Sequence, residues 1–276
     1  MNPFHKPKKH PHDIRQPILA LRNITVQFGQ ALALHMVSFQ LQKAERVAIV
    51  GPNGAGKSTL FNVIAGLLSP TDGEVKIYGH APSHHTCIAY VPQRNEVDWQ
   101  FPVNVADVVM MGRVGRLGLF NRPKKADWEY VYQSLDLVGM ANFAKRQIGE
   151  LSGGQQQRVF IARALAQEAE LVLMDEPLNG LDINSQADIL DILKTLSQRE
   201  VTVMITTHDL NAVVENFDRV MLLNQRVLAF GSAEHVLTPI LLNQAYQGRM
   251  QLVKTKEGTI VIHPNLENRH KRHTHV

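Results

Sequence analysis

The chain has 276 residues and a formal charge of +4, from 29 Lys and Arg against 25 Asp and Glu. That length is long for one simple domain and short for two, and a 44% hydrophobic fraction supplies an ordinary globular core. Much of the positive excess lies at the ends, in Lys6, Lys8, Lys9 and in Arg269, Lys271, Arg272, so the middle lacks the clustered basic face of a nucleic-acid binder.

Residues 1–17, rich in Pro, Lys and His, read as a disordered tail. The tail lacks the apolar stretch of a signal peptide. No apolar run in the chain reaches the ~18 residues that span a bilayer. The expected place is therefore the cytoplasm, with any membrane process served from its side. Ile18–Val26 alternates like a strand, and Val37–Leu41 is a second candidate. Arg46–Val50 is a short apolar run that stops at Gly51, which suits a strand buried on both faces. Ser58–Ala65 reads as a helix with Gly66 as its stop. Strand, Gly-rich turn and helix are the opening of a nucleotide-binding α/β unit.

Cys87 lies beside a β-like run and is the one cysteine, which excludes a disulfide framework within the chain and fits packing better than redox chemistry. Residues 92–165 read as a helical insert, with helical spacing over Val105–Gly112 and Lys124–Val138. Leu171–Met174 and Val201–Thr206 return to parallel-strand character, joined by a crossover helix over Ile183–Ser197. Val220–Leu223 and Val227–Phe230 flank Asn224 and Gln225 as a hairpin at a sheet edge, and Met250–Val253 with Thr259–Ile262 suggest a small terminal hairpin. No internal repeat is present, so the chain carries one nucleotide site's worth of motifs.

Gly51, Pro52, Asn53, Gly54, Ala55, Gly56, Lys57, Ser58 and Thr59 fit G-x-x-x-x-G-K-[ST], the P-loop. A phosphate chain needs several donors converging on a small volume. Gly51, Gly54 and Gly56 are expected to clear that space, so that backbone N–H groups from Gly54 to Thr59 point inward. The following helix N-terminus adds partial positive charge. Lys57 supplies a full charge to the β- and γ-phosphates, and Ser58 offers a hydroxyl to Mg²⁺. Further on, Leu171–Met174 ends in Asp175 and Glu176. Asp175 at a strand tip suits Mg²⁺, held through water, and Glu176 suits the orientation or deprotonation of an attacking water. Taken alone, the pair is equally an ordinary acidic strand boundary.

Leu151-Ser152-Gly153-Gly154-Gln155, continued by Gln156-Gln157-Arg158 into a helix ending near Ala166, resembles the LSGGQ signature of ABC-transporter ATPases. Ser152 reads as the N-cap of that helix; Gly153 and Gly154 are expected to let backbone approach phosphate. The resemblance covers about residues 18–235. It implies an α/β fold: a P-loop NTPase core, with a RecA-like parallel sheet plus an N-terminal antiparallel β-subdomain, and an inserted helical subdomain. A C-terminal extension, 236–276, has a His-rich end.

The resemblance also implies ATP and Mg²⁺ as cofactors, and a second copy of the chain as partner. Each ATP then sits between Gly51–Thr59 of one subunit and Ser152, Gly153, Gly154 and Gln155 of the other, with Asp182 as the D-loop aspartate at the dimer contact. Gln93 matches the Q-loop glutamine that touches Mg²⁺ and water, and His208 the switch histidine at the γ-phosphate. Glu176, His208, Gln93 and Lys57 form the implied catalytic set; Ser58, Gln93 and Asp175 hold Mg²⁺. Phe28 stands where the family has an adenine-stacking aromatic, although Tyr is commoner there and a core Phe looks the same. Ala44 replaces a frequent Gly, and Leu178 a frequent aromatic or small residue; neither touches phosphate.

Val91–Pro102 and the run from Val108 to Arg116 resemble the ATPases of bacterial manganese, zinc and iron importers. The implied partners are multi-span permease subunits and an extracytoplasmic metal-binding protein, with no nucleic acid, and the implied place is the cytoplasmic face of the cell membrane. Trp99, Phe101, Met110 and Met111 read either as a groove for a permease helix or as the core of the helical insert. A soluble ABC ATPase of translation or DNA repair is the alternative, but such proteins carry two nucleotide domains or long coiled-coil inserts. His5, His10, His12, His84, His85, His263, His270, His273 and His275 fit solvated segments as well as weak metal binding, and no metal ligands are assigned to them.

Overall fold

The computed structural model describes residues 15–81, 87–117 and 121–246, and the backbone of strands at 251–255 and 258–262. The His-rich tail segments and His84–His85 lie outside the described residues.

The chain opens with β1 (Leu19–Phe28), β2 (Ala31–Leu41), β3 (Arg46–Val50) and α1 (Lys57–Ile64), then β4 (Asp72–Lys76) and β5 (Ile88–Val91). The helices α2 (Val105–Met111), α3 (Val114–Leu117), α4 (Lys125–Leu137) and α5 (Gly153–Ala166) come before β6 (Leu171–Met174). Helix and strand then alternate through α6 (Ile183–Gln198), β7 (Thr202–Thr206), α7 (Leu210–Asn216) and β8 (Arg219–Asn224) to β9 (Arg226–Gly231). The end is α8 (Ala233–Val236), α9 (Pro239–Tyr246) and the antiparallel pair β10 (Gln251–Thr255) and β11 (Gly258–Ile262).

The central sheet runs β5-β6-β7-β3-β8-β9, parallel except for the edge pair β8–β9. The middles of its inner strands are apolar and buried because both faces are covered. Period-two alternation divides each strand between two cores. Val47, Ile49, Leu173, Met204 and Met221 face α1 and the antiparallel sheet β2-β1-β4. Ala48, Val50, Val172, Val203 and Leu222 face α5 and α6. The second core continues into the helical insert through Val105 and Val109 of α2 and Val131 and Leu135 of α4. A Cβ on Gly112, just past α2, would fall 2.2 Å from the Arg163 carbonyl oxygen, so that glycine lets α2 close on α5.

β3 and β6 have the bounds read from the sequence, and the β8–β9 pair is the expected edge hairpin. Gly66 follows α1 with φ 73, the left-handed stop that only glycine adopts freely. β4 is not legible in the sequence: Asp72-Gly73-Glu74-Val75-Lys76 buries Val75 and is held as a strand by pairing with β1. Cys87 is buried in the first core. Ala44 adopts φ 67, which is the physical reason glycine suits that position.

Candidate nucleotide site

The fold brings β5, β6, β7 and β3 side by side and parallel, so their carboxyl ends share one edge. Gln93 follows β5, Asp175 and Glu176 follow β6, Thr206 closes β7 just before His208, and Gly51 follows β3. Ligands of such sheets bind at that edge. Residues more than 100 positions apart in the chain thus converge because of strand order.

The loop Gly51–Gly56 turns back on itself, with the Ala55 N–H donating to the Pro52 carbonyl at 3.2 Å. Lys57 is 8% exposed, and its Nζ donates to the carbonyls of Gly51 (2.8 Å) and Pro52 (3.0 Å). Burial lowers its pKa below the ordinary lysine value, while the charges of Glu176 and Asp175 pull it back up. The cation therefore sits in a pocket whose opposite wall is anionic.

The glycines act differently from the sequence expectation. A Cβ on Gly51 would fall 2.0 Å from the Leu223 carbonyl oxygen, and one on Gly56 2.5 Å from the Ala33 carbonyl oxygen. Both are glycine because protein packs against them from behind. Gly54 alone of the three has open space around its missing Cβ, and its φ of 79 is left-handed.

Asp175 is 1% exposed. Its Oδ1 accepts a hydrogen bond from the Thr206 hydroxyl, and its Oδ2 has no hydrogen-bond partner. The Glu176 N–H donates to the same Thr206 oxygen at 2.9 Å. Glu176 adopts φ 48, a strained backbone for a residue with a side chain. Its Oε2 accepts from Asn179 Nδ2 at 2.9 Å, and its Oε1 lies 3.9 Å from His208 Nδ1. Glu176, Asn179 and Gly180 share a cleft of about 390 Å³ with Gln93, Arg94, Asn95 and Trp99. Phe28 stands apart at the end of β1 and is 53% exposed, so it is not a core residue.

The Ser152–Gln155 segment packs on Arg94, which also lines that cleft, and on Ser185. Ser152 Oγ accepts from the Gln155 N–H at 3.3 Å, and Gln155 Oε1 accepts from the Ser152 N–H at 3.0 Å. This reciprocal cap starts α5 as expected. A Cβ on Gly153 would fall 2.8 Å from Arg94 Nη1, and one on Gly154 2.5 Å from Ser185 Oγ. Gly154 is thus required by packing within the chain, a role the sequence reading did not assign, whereas the long Arg94 side chain can yield at Gly153. Asp182 caps α6, accepting from the Ser185 N–H (3.0 Å) and hydroxyl (2.7 Å). Those bonds hold its carboxyl below the usual carboxylate range.

Trp99 is half-buried, its ring tilted 59° against Phe160 with centroids 5.1 Å apart and its indole N–H donating to the Arg94 carbonyl at 2.7 Å. Met110 is core, whereas Phe101 is 56% and Met111 45% exposed. The four residues therefore divide between the two sequence readings. Two residues of the site were not singled out from sequence. The signal for Thr206 is a hydroxyl closing a fully buried strand next to His208. Arg94 Nε donates to Gln156 Oε1 at 3.1 Å and lies over the Trp99 ring, and only its neighbour Gln93 marks it.

A P-loop at a parallel sheet's carboxyl edge, with a strand-end acidic pair beside it, defines a nucleoside-triphosphate-binding protein. Residues 34–179 match the family model described as ABC transporter. The chain is 46% identical to the manganese transport system ATP-binding protein MntB of Bacillus subtilis, over 86% of this chain and 95% of that one. It is 44% identical to the zinc transport system ATP-binding protein TroB of Treponema pallidum, over 92% of this chain and 94% of that one. The ADP conformation of an ATP-binding cassette of an ABC transporter superposes with a TM-score of 0.75 at 27% identity, covering 84% of this chain and 99% of that one. The chain belongs to the ABC transporter family and is an ATP-binding cassette ATPase.

Proposed function

We propose that this ATPase drives import of a divalent metal ion (manganese, zinc or iron) by closing as a dimer around two ATP molecules beneath a permease. The observation that carries the reading is that one chain presents both the sheet-edge set and the capped Ser152–Gln155 helix start. Lys57, Asp175, Glu176 and His208 gather at the sheet edge, while Ser152–Gln155 form a helix start held by Arg94 and Ser185. The second half-site serves the partner's nucleotide, with Asp182 at the contact. Relatives belonging to manganese and zinc transport systems support the choice of cargo.

In each site Lys57 releases the Gly51 and Pro52 carbonyls and takes the β- and γ-phosphates. Loop N–H groups from Gly54 to Thr59 complete the cradle, and Phe28 offers its exposed ring to adenine. Glu176 holds the attacking water and accepts its proton. Asn179 orients that carboxylate, and His208 faces it from the γ-phosphate side. The fit to Mg²⁺ rests on Asp175: a buried carboxylate oxygen without a partner is costly, and a hard cation's water shell would satisfy it. Ser58, Asp175 and Gln93 would hold the ion, which neutralises phosphate charge when bound. Permease subunits, an extracytoplasmic metal-binding protein and a station at the inner face of the membrane complete the system. Phe101 and Met111 offer the exposed apolar contact for the permease.

Metal uptake in a strain lacking the chain tests the reading. Restored Mn²⁺, Zn²⁺ or Fe²⁺ accumulation by the wild type and none by Glu176→Gln is expected. The purified Glu176→Gln protein should retain ATP, hydrolyse it at least ~10²-fold more slowly and become dimeric with ATP·Mg²⁺. A variant that stays monomeric under those conditions removes the sandwich.

A further inference from the structure

Gly51, the first residue of the P-loop, is held from three sides. Its carbonyl accepts from Lys57 Nζ at 2.8 Å. Its Cα presses on the Leu223 carbonyl at the end of β8, leaving no room for a Cβ. Tyr246, the last residue of α9, lies against its backbone. The Tyr246 hydroxyl is buried and makes no hydrogen bond of good geometry among the described residues. Burial pushes that phenol up to about 12, and the Gly51 backbone pulls it part of the way back.

The turn from β8 to β9 makes the remaining links. The Gln225 N–H donates to the P-loop carbonyl of Ala55 at 2.9 Å, and the Gln225 carbonyl accepts from the His35 N–H of β2 at 2.7 Å. Gln225 holds a left-handed φ of 57 to make both bonds. Its neighbour Asn224 turns the other way, and Nδ2 donates to the Ala245 carbonyl in α9 at 3.0 Å. One turn therefore grips the phosphate loop on one side and the C-terminal helix on the other. The placement of Lys57 follows from the loop, and the loop is fixed by Leu223 behind Gly51 and by Gln225 at Ala55.

We propose that Asn224 is a positioning residue through which α9, in the C-terminal extension, sets the affinity of Gly51–Thr59 for nucleoside triphosphate. The proposal rests on that loop being the triphosphate cradle. It makes the C-terminal extension a determinant of nucleotide occupancy, although neither Asn224 nor α9 lies in the 34–179 segment shared across the family.

The test uses the full-length protein with Asn224→Ala, Asn224→Asp and Lys57→Ala, and reads the Kd of a fluorescent ATP analogue and steady-state ATP hydrolysis. Kd and KM should rise about fivefold in both Asn224 variants, with kcat within about twofold of wild type. A merely structural loosening would lower kcat with the folded fraction and leave KM in place. Asn224→Asp keeps the side-chain shape and removes the donor, so it carries the test if Asn224→Ala does not fold. Unchanged Kd and KM in the folded variants overturns the proposal. Lys57→Ala separates the two readings: if it abolishes binding while the others bind normally, only the role of α9 fails, and if it binds normally, the cradle itself fails.

Discussion

Thr206 shows what one hydroxyl does in this site. It donates to Asp175 Oδ1 and accepts from the Glu176 N–H, so it fixes both carboxylate-bearing residues at once. Without it, Asp175 would have neither oxygen paired, and Glu176 would lose the bond that holds its φ of 48. Valine matches threonine in shape and lacks the bonds. Thr206→Val should therefore lower kcat at least ~10-fold, as misplacing a general base does. The unpaired buried groups should also cost about 1–3 kcal/mol of stability. ATP hydrolysis at saturating nucleotide, with urea denaturation alongside, reads both effects. A kcat within twofold of wild type would detach Thr206 from the chemistry. The carboxylates themselves are visible in the sequence, as acidic residues ending an apolar strand. Their clamp is not, because a threonine at a strand end is ordinary until β6 and β7 are known to be neighbours.

At the scale of elements, the starts of α5 and α6 are one structure. The missing Cβ of Gly154 makes room for Ser185, whose N–H and hydroxyl both bond Asp182 at the start of α6. Alanine at Gly154 is a better helix former by about 1 kcal/mol. Its Cβ, however, would fall 2.7 Å from the Ser185 Cβ, which is tethered to backbone and has nowhere to swing. Packing outweighs propensity here, and Gly154→Ala should destabilise by about 1–3 kcal/mol in urea. A variant as stable as wild type would show that the contact yields cheaply. The helix starts were legible in the sequence, through Ser152 as a cap and through the crossover helix expected from Ile183, but Asp182 as the cap of α6 was not. Their mutual contact was not, because nothing in local spacing says that two helices 30 residues apart touch at their first turns.

Across the whole molecule, the helical insert is tied to the sheet by a buried charge network. Arg113 is 6% exposed and bonds Asp127 Oδ1 of α4 (3.3 and 3.2 Å), the Ala166 carbonyl (2.9 Å) and Glu168 Oε2 (3.0 Å). It also stacks on Tyr130 at 4.3 Å. Arg116 joins Glu168 at 2.7 Å, and Gln167 beside it donates to the Ile88 carbonyl of β5 at 2.6 Å. The insert and the strand that leads to Gln93 therefore share one anchor. Removing one member of a buried ionic set leaves charge uncompensated, so Arg113→Ala should cost about 3–5 kcal/mol. Equilibrium urea denaturation measures it, and a loss under about 1 kcal/mol would mean that water replaces the guanidinium.

The sequence by itself determined the local chemistry of this protein. The P-loop, the acidic strand end, the capped signature helix and the two-faced strands are written in short runs, because turn geometry, capping and period-two burial act over a few residues. Only the tertiary structure decided which runs meet. Strand order set Gln93, Asp175, Thr206, His208 and Gly51 along one edge, and packing showed that Gly51, Gly56 and Gly154 are glycine because other parts of the chain press on them. Such contacts join residues far apart in sequence, and the excluded volume behind a glycine leaves no mark in the spacing around it.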